Sequence, residues 1–363
     1  MKALVLHGPK DLRLDDVPHP TTQPGAVVVR VVAAPVWDYL PEVVNGERRY
    51  PLAYPLIFGT CAVGRIEEVG PDVTSLTPGQ LVFCDYIVHL RDNPDKRIVL
   101  GYHGGMTAEE LKLSSGHWKD GCFAERASFP AENVHAVDEQ LLAKQDVSIH
   151  QLAEIASVMP GIGAANAIGI KAGETVLVLP STGFFSSSAI VATLALGAHV
   201  VAGSRSKQSL DSLLDFFGED ARRITPVVLS GDVGKDTAAL LAATPCGKGA
   251  DAYIDYSPPM AATTTHIIAG LLALKRFGRC CFAGVIIDNV QLPYALIMAN
   301  CLTIRGQFAQ SREDVAQTVR LIESGNLKLR KKIVGPYPFG EYAQVMELAA
   351  KSKGWEKMIL LGP

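Results

Sequence analysis

Short apolar runs alternate with segments of helical spacing through the middle of this chain, and this alternation restricts the fold more than any other feature. Short apolar runs lie at 175–179, 199–202, 252–256 and 280–285, and helix-like segments connect them. Strands that alternate with helices form a parallel sheet with helices on both faces. We therefore expect an α/β fold with a doubly wound parallel sheet of the Rossmann type.

The first third of the chain has the pattern of a β-rich domain. Residues 27–33 form a β-branched run, and residues 64–70 alternate and end at a Gly-Pro turn. Residues 85–120 are polar and rich in glycine, which we interpret as a long surface excursion with a short helix at 107–113. The chain has 363 residues, and a domain typically has about 150, so we expect two domains.

Composition and charge exclude several classes of protein. The formal net charge is -3 and no basic stripe is present, so nucleic acid is not an expected partner. The apolar runs are too short to cross a membrane, and the first run is too short for a signal peptide. Seven cysteines without a Cys-x-x-Cys pair favour small buried side chains in a reducing compartment. We therefore expect a cytoplasmic protein that acts on a small molecule.

The loop after the run at 175–179 opens a helix, and there a Rossmann fold binds the pyrophosphate of its cofactor. Of the three glycines usual in this loop only Gly183 is present, because Pro180 and Ser186 occupy the other two positions. An ordinary strand-to-helix turn therefore remains an alternative for the loop alone. The candidate cofactor contacts are Pro180, Ser181, Thr182, Gly183, Phe184 and Phe185, together with Gly284 in the last apolar run.

The end of the next strand favours NADPH over NADH. A cofactor without a 2′-phosphate usually meets an aspartate or glutamate there. This chain has Ser204, Arg205 and Lys207 instead, with no carboxylate. An arginine supplies the charge and the paired donors that a phosphate requires. The alternative is that the two cations are simply solvated at the start of a helix.

Four segments together resemble the medium-chain dehydrogenase/reductase superfamily, in its zinc-independent branch. The chain opens with a strand at 2–9, and residues 58–70 are similar to the family's Gly-His-Glu-x-x-Gly segment. Residues 73–82 look like the hairpin that follows, and residues 173–178 lead into the nucleotide loop as they do in the family. The resemblance covers essentially the whole chain.

The resemblance implies both the domain organisation and the assembly. It implies a GroES-like catalytic domain over 1–152, completed by 302–363, and a Rossmann nucleotide-binding domain over 153–301. It also implies a homodimer joined through the edge of the nucleotide-binding sheet. The strand at 280–285 would be the last regular parallel strand, and residues 291–298 would extend the sheet across a two-fold axis.

The positions that hold the catalytic zinc in the zinc branch of this family have other side chains here. They correspond to Trp37, Thr60 and Pro160, and none of these binds Zn²⁺. Cys61 stands where the family has a glutamate, but one cysteine is not a metal site. We expect no metal, so the substrate must be polarised in another way.

The branch resembled here includes quinone reductases and enoyl reductases, in which a hydride from the nicotinamide reaches a carbon conjugated to a carbonyl. A proton must follow from a side chain or from water. Tyr39 comes two positions after Trp37, where zinc enzymes of the family place a hydroxyl for proton relay, and it is the first candidate donor. Packing in the cleft wall is the alternative role. Tyr50 and Tyr54 are second candidates, and Trp37, Thr60 and Asn166 are assigned to the substrate pocket.

We therefore expect a zinc-independent, NADPH-dependent oxidoreductase that reduces an activated C=C bond, a quinone or a carbonyl. Two alternatives keep the same fold. One is a redox-neutral biosynthetic enzyme, such as a cyclase or isomerase, and the other is a nucleotide-binding protein without catalytic activity. Function resides in the site rather than in the fold, so the residues of the site must separate these alternatives.

Overall fold

The chain folds into two compact units in the structure, a computed structural model that describes every residue except 260, 262, 353 and 354. The first unit contains Met1–Ala156 and Lys331–Pro363, and the second contains Ser157–Arg330. No helix among the described residues is long and apolar enough to cross a membrane.

The first unit begins with ten strands and three short helices. The strands are β1 (Lys2–Gly8), β2 (Asp11–Asp16), β3 (Ala26–Val36), β4 (Leu56–Ile57), β5 (Ala62–Val69), β6 (Leu81–Cys84), β7 (Ile87–His89), β8 (Arg97–Val99), β9 (Arg126–Pro130) and β10 (Val134–Ala136). The helices are α1 (Leu40–Val44), α2 (Ala108–Ser114) and α3 (Glu139–Lys144).

Strand β3 is the centre of this unit. Its run of valines favours the extended backbone, and nearly every residue in it is buried. It pairs antiparallel with β5 and with β9, and β6 and β10 continue the sheet beyond β5. The end of β3 leads into α1 through Trp37 and Tyr39, so the centre of the sheet positions these two side chains.

The excursion at 85–120 is more buried than its polar composition predicted. It contains the β7–β8 hairpin and α2, and a short helix was predicted where α2 lies. Thr107 caps α2, and the side chain of Glu110 returns to the backbone of Thr107. Ile98, Leu100 and Tyr102 are nevertheless buried, so the excursion packs against the unit instead of extending into solvent.

The second unit has the strand–helix alternation that the sequence predicts. Its elements are α4 (Ile155–Ala167, which begins two residues before the unit), β11 (Thr175–Leu179), α5 (Phe184–Ala195), β12 (His199–Ser204), α6 (Lys207–Phe217), β13 (Ile224–Val228), α7 (Val233–Ala242), β14 (Ala250–Asp255), α8 (Thr265–Leu272), β15 (Leu274–Phe282), α9 (Tyr294–Ala299), β16 (Thr303–Gly306) and α10 (Arg312–Glu323).

The six strands of this unit form one parallel sheet in the order β13-β12-β11-β14-β15-β16. The order reverses between β11 and β14, as it does in the doubly wound folds that bind nucleotides. The predicted α/β fold class is therefore confirmed. The loop after β11 lies at the carboxyl edge of the sheet, beside the reversal.

The structure corrects two predictions about the sheet edge. The strand predicted at 280–285 is not the last parallel strand, because β16 pairs with β15 outside it. Residues 294–299, which were expected to extend the sheet, form helix α9 instead. Because β16 belongs to this sheet, residues 302–330 lie in the second unit and not in the catalytic domain to which they were assigned.

The chain then returns to the first unit. Strands β17 (Lys332–Pro338) and β18 (Lys357–Gly362) flank helix α11 (Tyr342–Lys351). Strand β18 pairs parallel with β17 and antiparallel with β3. The last residues of the chain therefore complete the sheet around the strand that leads to Tyr39.

Candidate functional site

The loop between β11 and α5 has the features of a phosphate-binding turn. The N–H of Gly183 donates to Ser186 Oγ at 2.8 Å, which closes the turn without the third glycine of the usual pattern. The first amides of a helix have no intrahelical acceptor, and the helix dipole favours an anion beside them. Ser186 stands where the usual pattern has its third glycine. The first backbone amides of α5 are still available to a phosphate.

Ser181 supplies an independent indication of a ligand at this loop. The residue is buried, and its N–H donates to the carbonyl of Gly203 at 2.9 Å. Its hydroxyl oxygen has no hydrogen-bond partner among the described residues. A buried hydroxyl without a partner costs about 1–3 kcal/mol, and an oxygen of a bound cofactor would remove that cost.

The end of β12 adjoins the same loop. The hydroxyl oxygens of Thr182 and Ser204 lie 3.0 Å apart. Arg205 follows; it is exposed and forms no ion pair or hydrogen bond within the described part of the chain. Lys207 instead pairs with Asp211 at 2.7 Å, one turn further along α6. Arg205 is therefore the cation that remains available to a 2′-phosphate.

Gly284 has a packing role. A Cβ at this position would lie 2.4 Å from the backbone nitrogen of Ser257, so a larger residue would displace the segment after β14. Ser257 in turn donates to Asp255 Oδ1, and its oxygen lies 2.7 Å from His266 Nε2. This buried polar cluster of Asp255, Ser257 and His266 was not predicted from the sequence. A contact between Gly284 and the cofactor stays a prediction.

The two phenylalanines of the nucleotide loop pack against the second unit. The ring of Phe185 stacks on Tyr256 at 6.3 Å, and the Tyr256 hydroxyl donates to the carbonyl of Pro160 at 2.7 Å. Phe184 meets Phe185 edge-on at 5.1 Å. The carbonyl of Pro160 therefore holds the Tyr256 side chain in place. Zinc enzymes of the resembled family have a metal ligand at the position of Pro160.

In the first unit, a hydrogen bond joins Trp37 and Thr60. Both residues are buried, and the indole nitrogen donates to Thr60 Oγ1 at 3.3 Å. The Thr60 hydroxyl also lies 3.5 Å from the sulfur of Cys61. No group of three or more His, Cys, Asp or Glu side chains among the described residues is arranged to hold a metal ion. That the protein binds no zinc stays a prediction.

Three buried cysteines, Cys61, Cys84 and Cys122, lie in the core of the same unit as Trp37 and Thr60. The thiol of Cys122 donates to the carbonyl of Cys61 at 3.0 Å, and Cys84 lies on the neighbouring strand. Burial raises the pKa of all three thiols above the ordinary value. They are neutral core residues and not nucleophiles.

Two of the three candidate proton donors meet in one cluster, around a tyrosine that the sequence analysis missed. The ring centre of Tyr102 lies 6.0 Å from that of Tyr39 and 4.9 Å from that of Tyr50. Tyr102 is buried between these two rings. Burial raises the pKa of Tyr39 and of Tyr102, so both phenols are neutral and can donate.

Arg48 is the charged member of this tyrosine cluster. Its guanidinium carbon lies 4.5 Å from the centre of the Tyr39 ring, within the range of a cation–π contact. The guanidinium also pairs with Glu42 at 3.0 Å. Its side chain is 32% exposed, so this end of the cluster reaches solvent.

His103 closes the cluster on the side of the excursion. Its ring centre lies 4.6 Å from that of Tyr50. The N–H of Gly105 donates to His103 Nδ1 at 3.0 Å, so this nitrogen is an acceptor. Burial lowers the pKa of His103, which favours the neutral ring.

Two predicted site residues lie outside these clusters. Tyr54 is 39% exposed, and no ring contact among the described residues links it to Tyr39 or Tyr50. Asn166 is exposed, and its amide donates to Asp314 Oδ1 and Gln317 Oε1, at 2.6 and 2.7 Å. These contacts tie α4 to α10, and the role of Asn166 in the substrate pocket stays a prediction.

Comparison with known proteins places these sites in a family. Residues 23–139 match the family described as alcohol dehydrogenase GroES-like domain. The chain is 27% identical over 344 residues to acryloyl-coenzyme A reductase of Sulfurisphaera tokodaii, with 90% of each chain covered. These matches make the chain similar to the medium-chain dehydrogenase/reductase superfamily. By this relationship it is an oxidoreductase.

Solved structures of dehydrogenases have the same fold. An E. coli CFT073 alcohol dehydrogenase complexed with NADH matches with a TM-score of 0.78 and 19% identity, covering 100% of this chain and 99% of that one. A zinc-binding dehydrogenase of Sinorhizobium meliloti 1021 bound to NADP matches with a TM-score of 0.75 and 18% identity, at the same coverage. The structural relatives thus include proteins with either nicotinamide cofactor.

Proposed function

We propose that this medium-chain oxidoreductase uses NADPH to reduce a C=C bond conjugated to a carbonyl, without a zinc ion. The observation that carries the proposal is the cluster of Tyr39, Tyr102 and Tyr50, since Tyr39 follows Trp37 by two residues and its phenol is buried. Trp37 and Thr60 bond to each other, and neutral phenols stand within the same unit as proton donors. The relative named for acryloyl-coenzyme A supports a conjugated substrate.

The second unit would hold the cofactor. The N-terminal amides of α5 and the unpartnered Ser181 hydroxyl suit the pyrophosphate region. Arg205 suits the 2′-phosphate, since it has no other partner in the described residues and no carboxylate follows β12. When bound, the reduced nicotinamide supplies the hydride.

The first unit would supply the proton. Addition of the hydride to the carbon distal to the carbonyl moves the electron pair of the C=C bond toward the carbonyl oxygen and leaves an enolate. The Tyr39 hydroxyl would give its proton to the α-carbon, which would complete the two-electron reduction of the C=C bond, and water would return a proton to Tyr39. Such a donor must be neutral before the step, and the raised pKa of Tyr39 keeps it so.

A substrate panel tests this function. The purified protein would be mixed with NADPH and with an enoyl thioester, a cyclic enone, a quinone or an aldehyde, and cofactor oxidation and products would be measured. We expect the saturated thioester or ketone as product, with an oxidation rate above that for the aldehyde. A rearranged product with no net oxidation would show a redox-neutral enzyme, and cofactor binding without any product would show a non-catalytic protein.

A further inference from the structure

His103 is held so that only one of its two ring nitrogens can donate a hydrogen bond. A backbone N–H can only donate, and that of Gly105 lies 3.0 Å from His103 Nδ1, so Nδ1 is the unprotonated nitrogen. In the neutral ring the hydrogen is therefore on Nε2. The side chain is half-buried, and no described residue accepts a hydrogen bond from Nε2, so this N–H is a donor without a protein acceptor.

The backbone around His103 is fixed from both sides. The N–H and the carbonyl of His103 both bond to Val99, each at 2.9 Å. The N–H of Gly104 donates to the carbonyl of Pro51 at 2.9 Å, and Ser114 Oγ donates to the Gly104 carbonyl, also at 2.9 Å. Because the backbone cannot move without breaking these bonds, the fold sets the position of the His103 ring.

Gly105 is the residue that this turn requires. Its φ is +85°, in the left-handed region that favours glycine, and a Cβ there would lie 2.2 Å from that of Glu110. The Glu110 carboxylate accepts from the backbone of Met106 and Thr107, at 2.8 and 3.0 Å, which holds the residues that follow. The tautomer of His103 is thus built into the backbone of the loop and does not depend on a flexible side chain.

His103 packs against the tyrosine cluster. Its ring centre lies 4.6 Å from that of Tyr50, and the ring centre of Tyr50 lies 4.9 Å from that of Tyr102. The bond between Gly104 and Pro51 joins the residues that directly follow His103 and Tyr50, so it keeps these two rings together. A fixed hydrogen-bond donor therefore stands in the same cluster as the candidate proton donor.

A neutral imidazole is a suitable electrophile for the proposed reduction. Burial lowers the pKa of His103, and protonation of Nδ1 would lose the bond from Gly105, so both effects favour the neutral ring. When a hydride adds to a conjugated C=C bond, negative charge develops on the carbonyl oxygen. A fixed N–H donor at that oxygen stabilises the charge, which is a task that a metal ion performs in metalloenzymes.

We propose that His103 is a catalytic residue whose Nε2–H donates a hydrogen bond to the carbonyl oxygen of the conjugated substrate. The inference rests on the proposed reduction, and it gives separate tasks to two residues of the first unit. His103 stabilises the enolate oxygen and keeps its proton, while the Tyr39 hydroxyl protonates the α-carbon. No bond to His103 forms or breaks, so atoms and electrons balance as they do in the reduction itself.

Two substitutions of His103 separate catalysis from the turn. His103→Asn keeps an acceptor for the N–H two residues ahead, as asparagine does in turns, but it removes the donor at Nε2. It should lower kcat for cyclohexenone about 10²–10³-fold, the cost of one lost oxyanion donor, with an unchanged melting temperature. His103→Gln places an amide N–H near the position of Nε2 and should recover part of that loss.

The matched control is His89→Asn, in the same excursion. The ring of His89 lies 2.8 Å from the carbonyl of Pro94, and its replacement should leave kcat unchanged. If the unmodified protein reduces cyclohexenone and His103→Asn reduces it equally fast, the inference is wrong and the proposed function stands. If the unmodified protein reduces no conjugated substrate, the proposed function fails, and the inference that rests on it fails too.

A measurement without turnover tests the hydrogen bond itself. With NADP⁺ in place of NADPH, isotope-labelled cyclohexenone binds without reacting, and infrared difference spectroscopy reads the stretch of its carbonyl. A donor at the oxygen weakens the C=O bond, so the frequency should fall on binding to the unmodified protein and to His89→Asn. The fall should be smaller in His103→Asn. The same frequency in all three proteins would overturn the inference, even where kcat differs.

Discussion

Tyr39 and Tyr102 show how far single residues can be assigned from sequence. Tyr39 follows a motif position, so its resemblance to a family pattern identified it. Tyr102 lies in a polar, glycine-rich excursion, and only the fold brings it to Tyr39. The same contrast applies to Asn166, whose position predicted a pocket residue but whose amide is held by Asp314. Contacts between distant segments decide such roles, and they leave no local pattern.

Removing the Tyr39 hydroxyl tests the proposed proton donor. Tyr39→Phe keeps the ring in contact with Arg48 and Tyr102 but removes the acid, so kcat for the alkene should fall by roughly 10²–10⁴-fold. The affinity for NADPH should not change. The kcat for quinone reduction should fall less than the kcat for the alkene, because water can protonate the oxygens of a reduced quinone. Steady-state kinetics on both substrates, with cofactor binding by fluorescence, measures this. Equal losses on both would point to damaged packing.

Arg205 is the residue on which cofactor choice depends. Arg205→Ala should weaken NADPH by about 2–5 kcal/mol, the cost of truncating one partner of a buried charge pair, and should weaken NADH far less. Lys207→Ala is the matched control with a smaller effect, because Lys207 already pairs with Asp211. Titration calorimetry with both cofactors compares the two variants. A similar loss for NADPH and NADH would place the 2′-phosphate elsewhere.

At the scale of elements, the sequence predicted the central strands well and the edges poorly. Strands β11, β12, β14 and β15 contain apolar runs that mark buried parallel strands. Strand β16 is short and its burial is low, so its sequence has no such run. Strand β15 begins at Leu274, six residues before the predicted run at 280–285, because pairing with β14 extends the strand into residues without an apolar run.

We predict a homodimer that forms through the sheet edge at β16. Tyr294 and Met298, on helix α9 just before this strand, are 81% and 65% exposed. Apolar surface beside an open strand edge is normally covered. Light scattering at micromolar concentration should give twice the mass of the chain, and Tyr294→Glu with Met298→Glu should give a monomer. Met106→Glu, at another exposed apolar residue, is the control, and a monomeric unmodified protein would refute the prediction.

At the scale of the whole molecule, the chain leaves the first unit and returns to it, and a buried lysine marks the return. Lys331 is 5% exposed, its ammonium donates to the carbonyl of Trp355, and its N–H donates to Glu154. Burial lowers the pKa of Lys331 to about 8, although Glu154 opposes this. No local sequence pattern predicts that Lys331 is buried, because its burial depends on how strands distant in sequence pack around it.

This lysine should make stability depend on pH. Between about pH 8 and pH 10.4 the unfolded chain keeps the proton that the folded protein has lost, so the free energy of unfolding should rise with pH across that window. The contribution amounts to at most about 3 kcal/mol at roughly 1.4 kcal/mol per pKa unit. Denaturant unfolding should show the rise in the unmodified protein and not in Lys331→Met. Parallel pH profiles for the two would contradict it.

The central claim is zinc-free reduction of a conjugated C=C bond with a proton placed by the protein. The most direct test uses NADPH carrying deuterium at the transferred position, an enoyl thioester, and protein whose metal content has been measured. The account predicts less than one zinc per ten chains, deuterium at the carbon distal to the carbonyl, and a solvent hydrogen at the α-carbon with one stereochemistry. Stoichiometric zinc whose removal abolishes activity and whose return restores it, or a product without cofactor deuterium, would contradict the account.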